Sequence, residues 1–430
     1  MRRGLAAAAA LTLGAVVLVA CTDDSDGEGS DGPVELTFWS WVPNIETVVD
    51  AWNAANPDIQ VTVSEQGAGD DLVTLVLTAA EAGNAPDLIQ VEYQALPTLV
   101  SNDVLADISS HVGGVAGEFP EGVWQQVTLG TEAVYALPQD AGPMMFYYRA
   151  DIFDELGLTA PATWEEFAET ARTVREEEPD SYLMTFSAND PGWFAGLAQQ
   201  AGASWWGIEG EAWRVAINDP ATQQVAAYWE QLVAEDLVDD QPMYTPEWNA
   251  ALNDGTQIGW VSAVWGPGVL AGNAEDTQDL WRMAPLPQWS AGQNVTGNWG
   301  GSSTGVSTDS QYAEAAAQFA SWLNTDPEAV ELLVTEGGLY PASTTGQQSP
   351  ALAQPPGFFS GQDDFYELAQ AIADTAAGAA WGPNVNVAYD AYRDAFGAAI
   401  TDGTPFAGAV DQMQQVTVDD MQRQGFTVAG

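Results

Sequence analysis

The chain of 430 residues carries 61 acidic and 9 basic side chains, a formal net charge of −52, and every basic one is an arginine. Without a lysine amine there is no Walker-type phosphate loop, pyridoxal Schiff base, serine/lysine acylase or protein kinase, and a polyanion repels rather than grips a nucleic-acid backbone. Cys21 and His111 are the single cysteine and histidine, so an intrachain disulfide and a Cys/His zinc cluster are excluded, and a serine triad has only His111 to use.

Residues 1–21 open with Arg2-Arg3, run through an apolar stretch from Leu5 and end Leu18-Val19-Ala20-Cys21. A positive start, a short apolar run and small residues before a cut site read as a secretory signal rather than a membrane span. Residues 22–33, Thr22 to Pro33, are acidic and glycine-rich with no apolar side chain, which reads as a flexible tether. Asp24, Asp26, Glu28, Gly29 and Glu35 fall at the spacing of a calcium loop. The helices that such a loop needs on both sides are missing, and the tether reading stands. Removing residues 1–21 leaves 7 arginines against 61 acids, a charge of −54, on a chain whose 46% apolar content supports real cores.

Val34 to Trp39 alternates as a strand, and Asn44 then caps a helix with Val48, Val49 and Trp52 as its apolar stripe. Ile59 to Val63 is a second strand. Leu72, Leu75, Val76 and Ala79 recur at helical spacing up to Gly83-Asn84, and Asp87 to Val91 is a third, almost wholly apolar strand. Strand, helix, strand, helix, strand predicts a parallel sheet wrapped by helices. Two further strands, Glu132–Leu137 and Met144–Tyr148, flank a turn over Pro138–Pro143 that reads as a crossing between domains. Thr163-Trp164-Glu165-Glu166 is a capping box opening a helix to about Glu177. Strands over Tyr182–Phe186 and Gln257–Val261, with a helix over Pro220–Ala234 between them, lead to a glycine-rich passage, Thr296–Gly305. Helices over Ser310–Leu323 and Pro327–Thr335 precede a further crossing at Gly337–Pro341, and the remainder is mostly helical, around Ala388–Ile400 and Pro405–Gln424.

Gly301-Ser302-Ser303-Thr304-Gly305 fits the G-x-S-x-G pattern of a nucleophile elbow. That elbow needs a helix at once, whereas Val306–Asp309 intervene, so a plain Gly/Ser turn is the better reading. The 18 tryptophans are the other compositional anomaly, because several sit beside glycines in turn-like places. Indole faces at strand ends suit a ring with C–H faces and hydroxyl edges, such as a sugar. For Trp52, Trp164, Trp229 and Trp322, inside helices, packing is the expected role.

Leu-Val-Ala-Cys at Cys21 resembles the bacterial lipoprotein box, which implies lipid attachment there. Behind it, in order, come Leu36-Thr37-Phe38-Trp39-Ser40-Trp41, Gly83-Asn84-Ala85-Pro86-Asp87-Leu88, Ala136-Leu137-Pro138-Gln139-Asp140 and Gly157 to Glu166. Together they resemble the extracellular solute-binding proteins of family 1, the sugar receptors of ATP-driven importers that include maltose-binding proteins. The resemblance implies an α/β fold of two lobes, with the ligand cleft at a multi-segment hinge. Residues 34–139 and 296–340 would form one lobe, and 140–295 and 341–430 the other. It implies a monomer without cofactor or metal, lipid-anchored on the outer face of the cell membrane, that hands a neutral carbohydrate to the permease subunits. Position by position it implies solute contacts at Trp41 and Asn44, at Glu92 and Tyr93 after the third strand, and at Asp140 near the first crossing. In the second lobe it points to Trp193 and Trp265, then to Trp299, Tyr340 and Trp381. A cationic solute, a glycerol-phosphate-type solute and an anchored glycosidase are the alternatives that composition leaves open.

Overall fold

The computed structural model describes residues 32–429. Cys21, the secretory signal and the tether up to Asp31 lie outside the described residues.

The first lobe is built on a five-stranded sheet in the order β2-β1-β3-β10-β4. β1 is Val34–Ser40, β2 is Ile59–Glu65, β3 is Leu88–Glu92, β4 is Ala136–Asp140 and β10 is Ser302–Val306. β1 runs parallel to both neighbours, with Leu36 opposite Val61 and Phe38 opposite Leu88. This is the strand–helix alternation expected from the sequence. The helix Ile45–Ala55 turns Ile45, Val48, Val49 and Trp52 inward, where Trp52 meets Phe319 edge-on at 5.4 Å. In the helix Asp70–Glu81, Leu72 and Val76 are buried but Leu75 of the expected stripe is 42% exposed. β10 arrives from more than 200 residues downstream and pairs antiparallel with β3, Ser302 opposite Glu92. The G-x-S-x-G segment is therefore a buried inner strand, neither an elbow nor the expected Gly/Ser turn, because its backbone pairs with β3 and β4 on either side. Pro138 is tolerated in β4 because that strand forms the sheet edge.

The second lobe centres on three antiparallel strands in the order β8-β5-β9. β5 is Met144–Arg149, β8 is Gly259–Ala263 and β9 is Trp281–Pro285. A hairpin of β6, Trp206–Glu209, and β7, Ala212–Val215, stands apart. The capping box at Thr163 forms with one change of partner. The Thr163 hydroxyl accepts from Glu166 N–H, but the Glu166 carboxylate accepts from Ala162 N–H at 2.8 Å rather than from the cap residue itself. The expected strand over Tyr182–Phe186 makes only single bridges, Tyr182 with Gln257 and Thr185 with Asp239. The Thr185 hydroxyl there bonds the carbonyls of Asp239 and Gln241, holding the chain against loops rather than in a ladder. Trp164, Trp193, Trp229, Trp248, Trp260 and Trp281 all lie in this lobe's core.

Three segments cross between the sheets, side by side. Residues 141–143 join β4 to β5, residues between β9 and β10 return, and Tyr340-Pro341 crosses last. They are hydrogen-bonded to one another: Ala141 N–H donates to Tyr340 C=O at 3.1 Å, Trp299 N–H to Gly142 C=O at 2.8 Å, and Met144 N–H to Gly297 C=O at 2.9 Å. A Cβ at Gly142 would stand 2.3 Å from the Trp299 carbonyl oxygen, so glycine is what lets these two strands of the hinge touch. Two boundaries fall differently from the sequence reading. Asp140 ends a strand of the first sheet, and Thr296 bridges Ala376 of the second lobe. Pairing with β10 sets the first limit and pairing with the Thr375–Ala377 segment sets the second, and neither partner is signalled by the local sequence.

Candidate functional site

Glu92 closes β3 at its C-terminal end, where ligands of open parallel sheets collect. Burial is the main cause that pushes its carboxyl up from the ordinary 4.5 to about 7. The charges of Asp70, Asp190 and Asp140 add to the rise, and a hydrogen bond from Gln94 opposes it. Asp140, the last residue of β4, is buried and lifted to about 6 by that burial, although hydrogen bonds from Ser302 pull it back. Ser302 N–H donates to its Oδ1 at 2.7 Å and the Ser302 hydroxyl donates to the same oxygen. Tyr93 is buried and spends its hydroxyl on the Asp140 carbonyl, 3.0 Å away. Asp140 and Tyr93 thus brace the floor of the site, while Glu92 keeps part of its surface open.

The second lobe answers with a group that the sequence reading missed. Asp190 precedes the helix Pro191–Gln200 and its Oδ1 caps it by accepting Trp193 N–H at 3.1 Å. Burial lifts Asp190 to about 6, against the backbone N–H of Trp193, the Arg393 charge, the Gly192 N–H and the Trp299 indole. Asp-Pro at a helix start was legible as a cap, but nothing local said that the cap faces the other lobe. Tyr389 and Arg393, one turn apart on the helix Val385–Asp402, were missed for the same reason. Tyr389 is buried, and burial first, then the charges of Glu92, Asp70 and Asp190, holds its hydroxyl far up; its helix packs on the turn Tyr93–Ala95 that follows Glu92. The Arg393 guanidinium reaches Asp70 at 2.7 Å and Asp390 at 2.9 Å.

The expected aromatics divide. Trp299 stands on the second crossing with 7% of its surface exposed, its indole against Gly192, where an added Cβ would lie 3.1 Å from its ring. Trp265, half-buried, donates its indole N–H to the Trp299 carbonyl at 3.0 Å, and the two rings meet edge-to-face at 4.7 Å. Tyr244, which the sequence reading passed over, is 43% exposed and 6.4 Å from Trp299. Trp381 packs against both the first-lobe cluster and Tyr389, 6.4 Å away and nearly perpendicular, with a buried indole N–H that has no partner. Trp41 is half-buried after β1, its N–H held by Gln90 at 3.1 Å.

Trp193 is not brought to this group. It has no exposed surface, stacks near Trp229 and Phe186, and donates its indole N–H to the Val261 carbonyl at 3.1 Å, which makes it core. Asn44 is exposed and bonds the Glu336 carbonyl at 3.1 Å. It takes left-handed backbone and its side chain does not cap the helix, contrary to the expected role. Tyr340 is buried on the third crossing with an unpartnered hydroxyl, beside a cavity of about 230 Å³ lined by both lobes. A larger pocket of about 600 Å³ involves only the second lobe, around Tyr148, Asp154 and Arg282, away from these residues.

The assembly offers carboxyl acceptors and ring faces from two bodies around a hinge, with no histidine or cysteine among them. Among the described residues no group of three or more His, Cys, Asp or Glu side chains has the geometry of a metal site, and no helix is long and apolar enough to cross a membrane. Two lobes joined by hydrogen-bonded crossings, with carboxyl and aromatic groups near their junction, are the architecture of a two-lobed binding receptor. Residues 39–330 match the family of bacterial extracellular solute-binding proteins. The match spans more than half of the chain, which therefore belongs to that family, a family of receptors rather than enzymes. An arabinooligosaccharide-binding protein of Halalkalibacterium halodurans is 25% identical over 364 residues, covering 80% of this chain and 77% of that protein. The galacto-N-biose/lacto-N-biose I-binding protein of a Bifidobacterium longum ABC transporter, in complex with lacto-N-biose, superposes with a TM-score of 0.84 at 27% identity, covering 93% of this chain and all of that one. The ABC-transporter-associated binding protein of B. animalis subsp. lactis with β-1,6-galactobiose gives 0.82 at 26% identity, with the same coverage.

Proposed function

We propose that this protein captures a neutral mono- or oligosaccharide by closing its lobes and delivers it to the permease subunits of an ATP-driven importer. A lipid on Cys21 would hold it, as a monomer, at the outer face of the membrane. The observation that carries the reading is a packing one: the helix that bears Tyr389 lies on the turn Tyr93–Ala95 directly after Glu92, and Asp190 caps a helix whose Gly192 lies against the Trp299 indole on the hinge. A hydrogen bond to a charged acceptor contributes about 1.5–3 kcal/mol. Hydroxyls on a sugar rim would use Glu92 and Asp190 while its C–H face lies on the indole of Trp299, with Trp265 supporting that indole from behind. Carboxyls lifted towards neutrality suit this work, because the protonated form both donates and accepts.

Relatives that bind arabinooligosaccharide and lacto-N-biose support the carbohydrate class. A phosphate-bearing solute fits poorly, since Arg393 is already paired with Asp70 and Asp390. Calorimetry of the purified protein over mono- and oligosaccharides checks the proposal. Binding of at least one neutral sugar is expected, and silence across the panel together with capture of a polyamine or glycerol phosphate would overturn it.

A further inference from the structure

We propose that the Asp70–Arg393 ion pair is an interlobe latch that holds the empty receptor partly closed. Asp70 is the first residue of a first-lobe helix, and Arg393 lies in the helix Val385–Asp402 of the second lobe. Their 2.7 Å contact is the one ion pair among the described residues that joins the two lobes. It is separate from the three hinge crossings in the chain, so it opposes opening where the hinge strands themselves do not. A neutral bond from the Thr98 hydroxyl to the Pro383 carbonyl, 3.1 Å, and the packing of Trp381 on the first-lobe cluster accompany it.

The geometry makes this a latch that releases rather than a lock. Asp70 sits in the first turn of its helix, where unpaired N–H groups stabilise an anion whether or not the lobes are together. Arg393 keeps Asp390 at 2.9 Å and the Asn189 carbonyl at 3.4 Å from its own lobe. Neither charge is stranded when the contact breaks, so the cost of opening is small. Both side chains are a little over one third exposed and border a cavity of about 500 Å³ between the lobes, next to Gly69, Asp71 and Asn386. Water and salt reach the pair. The Arg393 guanidinium charge also bears on Asp190 within its own lobe.

The proposal rests on lobe closure as the mode of capture, but not on the solute being a sugar. Pulsed electron spin distance measurement on the full chain tests it, with labels at Glu46→Cys and Glu209→Cys in a Cys21→Ser background. Without added solute, Asp70→Asn and Arg393→Gln should each raise the ratio of open to closed protein about two- to fivefold, the worth of a half-exposed pair. The double variant should open no further than either single one. Arg172→Gln, which breaks the Arg172–Glu235 pair within the second lobe, should leave the distances unchanged. Raising salt to about 1 M should open the wild type towards the variants and leave the variants where they are. Distances in D70N that match the wild type, or single effects that add in the double variant, would overturn the latch. A sugar panel without a ligand would sink the carbohydrate reading and leave this result standing.

Discussion

Replacing Glu92 by Gln removes one ionisable group from a set of acids that act on one another and keeps the shape of its protonated form. Burial, then the charges of Asp70, Asp190 and Asp140, raise this carboxyl from 4.5 to about 7. The folded protein therefore holds the proton more tightly than the unfolded chain does. Below pH 4.5 both states are protonated and Glu92 costs nothing. As pH rises from 4.5 to about 7 the unfolded chain releases the proton first, and stability is lost through that window. At about 1.36 kcal/mol per pH unit the loss approaches ~3 kcal/mol above pH 7, a ceiling because part of the side chain faces solvent. Urea unfolding of wild type and E92Q at half-unit steps from pH 4.5 to 8 reads this directly. The two should agree within about 0.5 kcal/mol at pH 4.5, and E92Q should become the more stable by about 1–3 kcal/mol at pH 8. Asp140 and Asp190, both lifted to about 6 mainly by burial, slope the same way in both proteins, so their own desolvation cancels and only their coupling to Glu92 stays in the difference. A difference that stays flat with pH, or has the opposite sign, would refute the burial argument.

Tyr389→Phe removes a buried hydroxyl on the helix that packs against the turn after Glu92. It should weaken binding of the captured sugar by about 2- to 10-fold in calorimetry, the worth of one hydrogen bond, and unchanged affinity would remove Tyr389 from the site. Gly142→Ala forces a Cβ to within 2.3 Å of the Trp299 carbonyl, and pushing the crossings apart should cost about 1–3 kcal/mol in thermal or urea unfolding. A neutral result there would show that the hinge strands separate freely. With a charge of −52 on 430 residues, self-repulsion should ease as salt screens it, so the melting temperature should rise between about 0.05 and 1 M salt. A fall would count against an acidic surface adapted to salt.

How much was legible follows from the range of each signal. The ends of the helices Pro220–Ala234 and Pro327–Thr335 were read to the residue because Pro at the start is a strong local mark. Glu92 and Asp140 stand at the ends of strands of the first sheet, with Tyr93 just beyond Glu92, at the places to which the resemblance pointed. Trp193 was placed at the ligand but lies in the core. A glycine neighbour marks a turn, and it does not say which way the indole points. Asp190, Tyr389 and Arg393 carried no mark of function, since a helix cap and two polar residues one turn apart are ordinary anywhere.

The sequence by itself narrowed the chemistry: no lysine, one histidine and one cysteine remove amine, metal-cluster and disulfide chemistry and leave carboxyls and aromatic rings as the abundant functional groups. It also determined the alternation of strands and helices, because hydrophobic period and caps act over a few residues. The tertiary structure alone decided which carboxyls face one another. Glu92 and Asp190 are separated by almost 100 residues, and Asp70 and Arg393 by more than 300, and they come together only because β10 returns to the first sheet and three crossings are hydrogen-bonded side by side. The raised carboxyls, the pocket and the ion pair are consequences of that meeting. Desolvation and Coulomb energies depend on distance in space, which no spacing along the chain encodes.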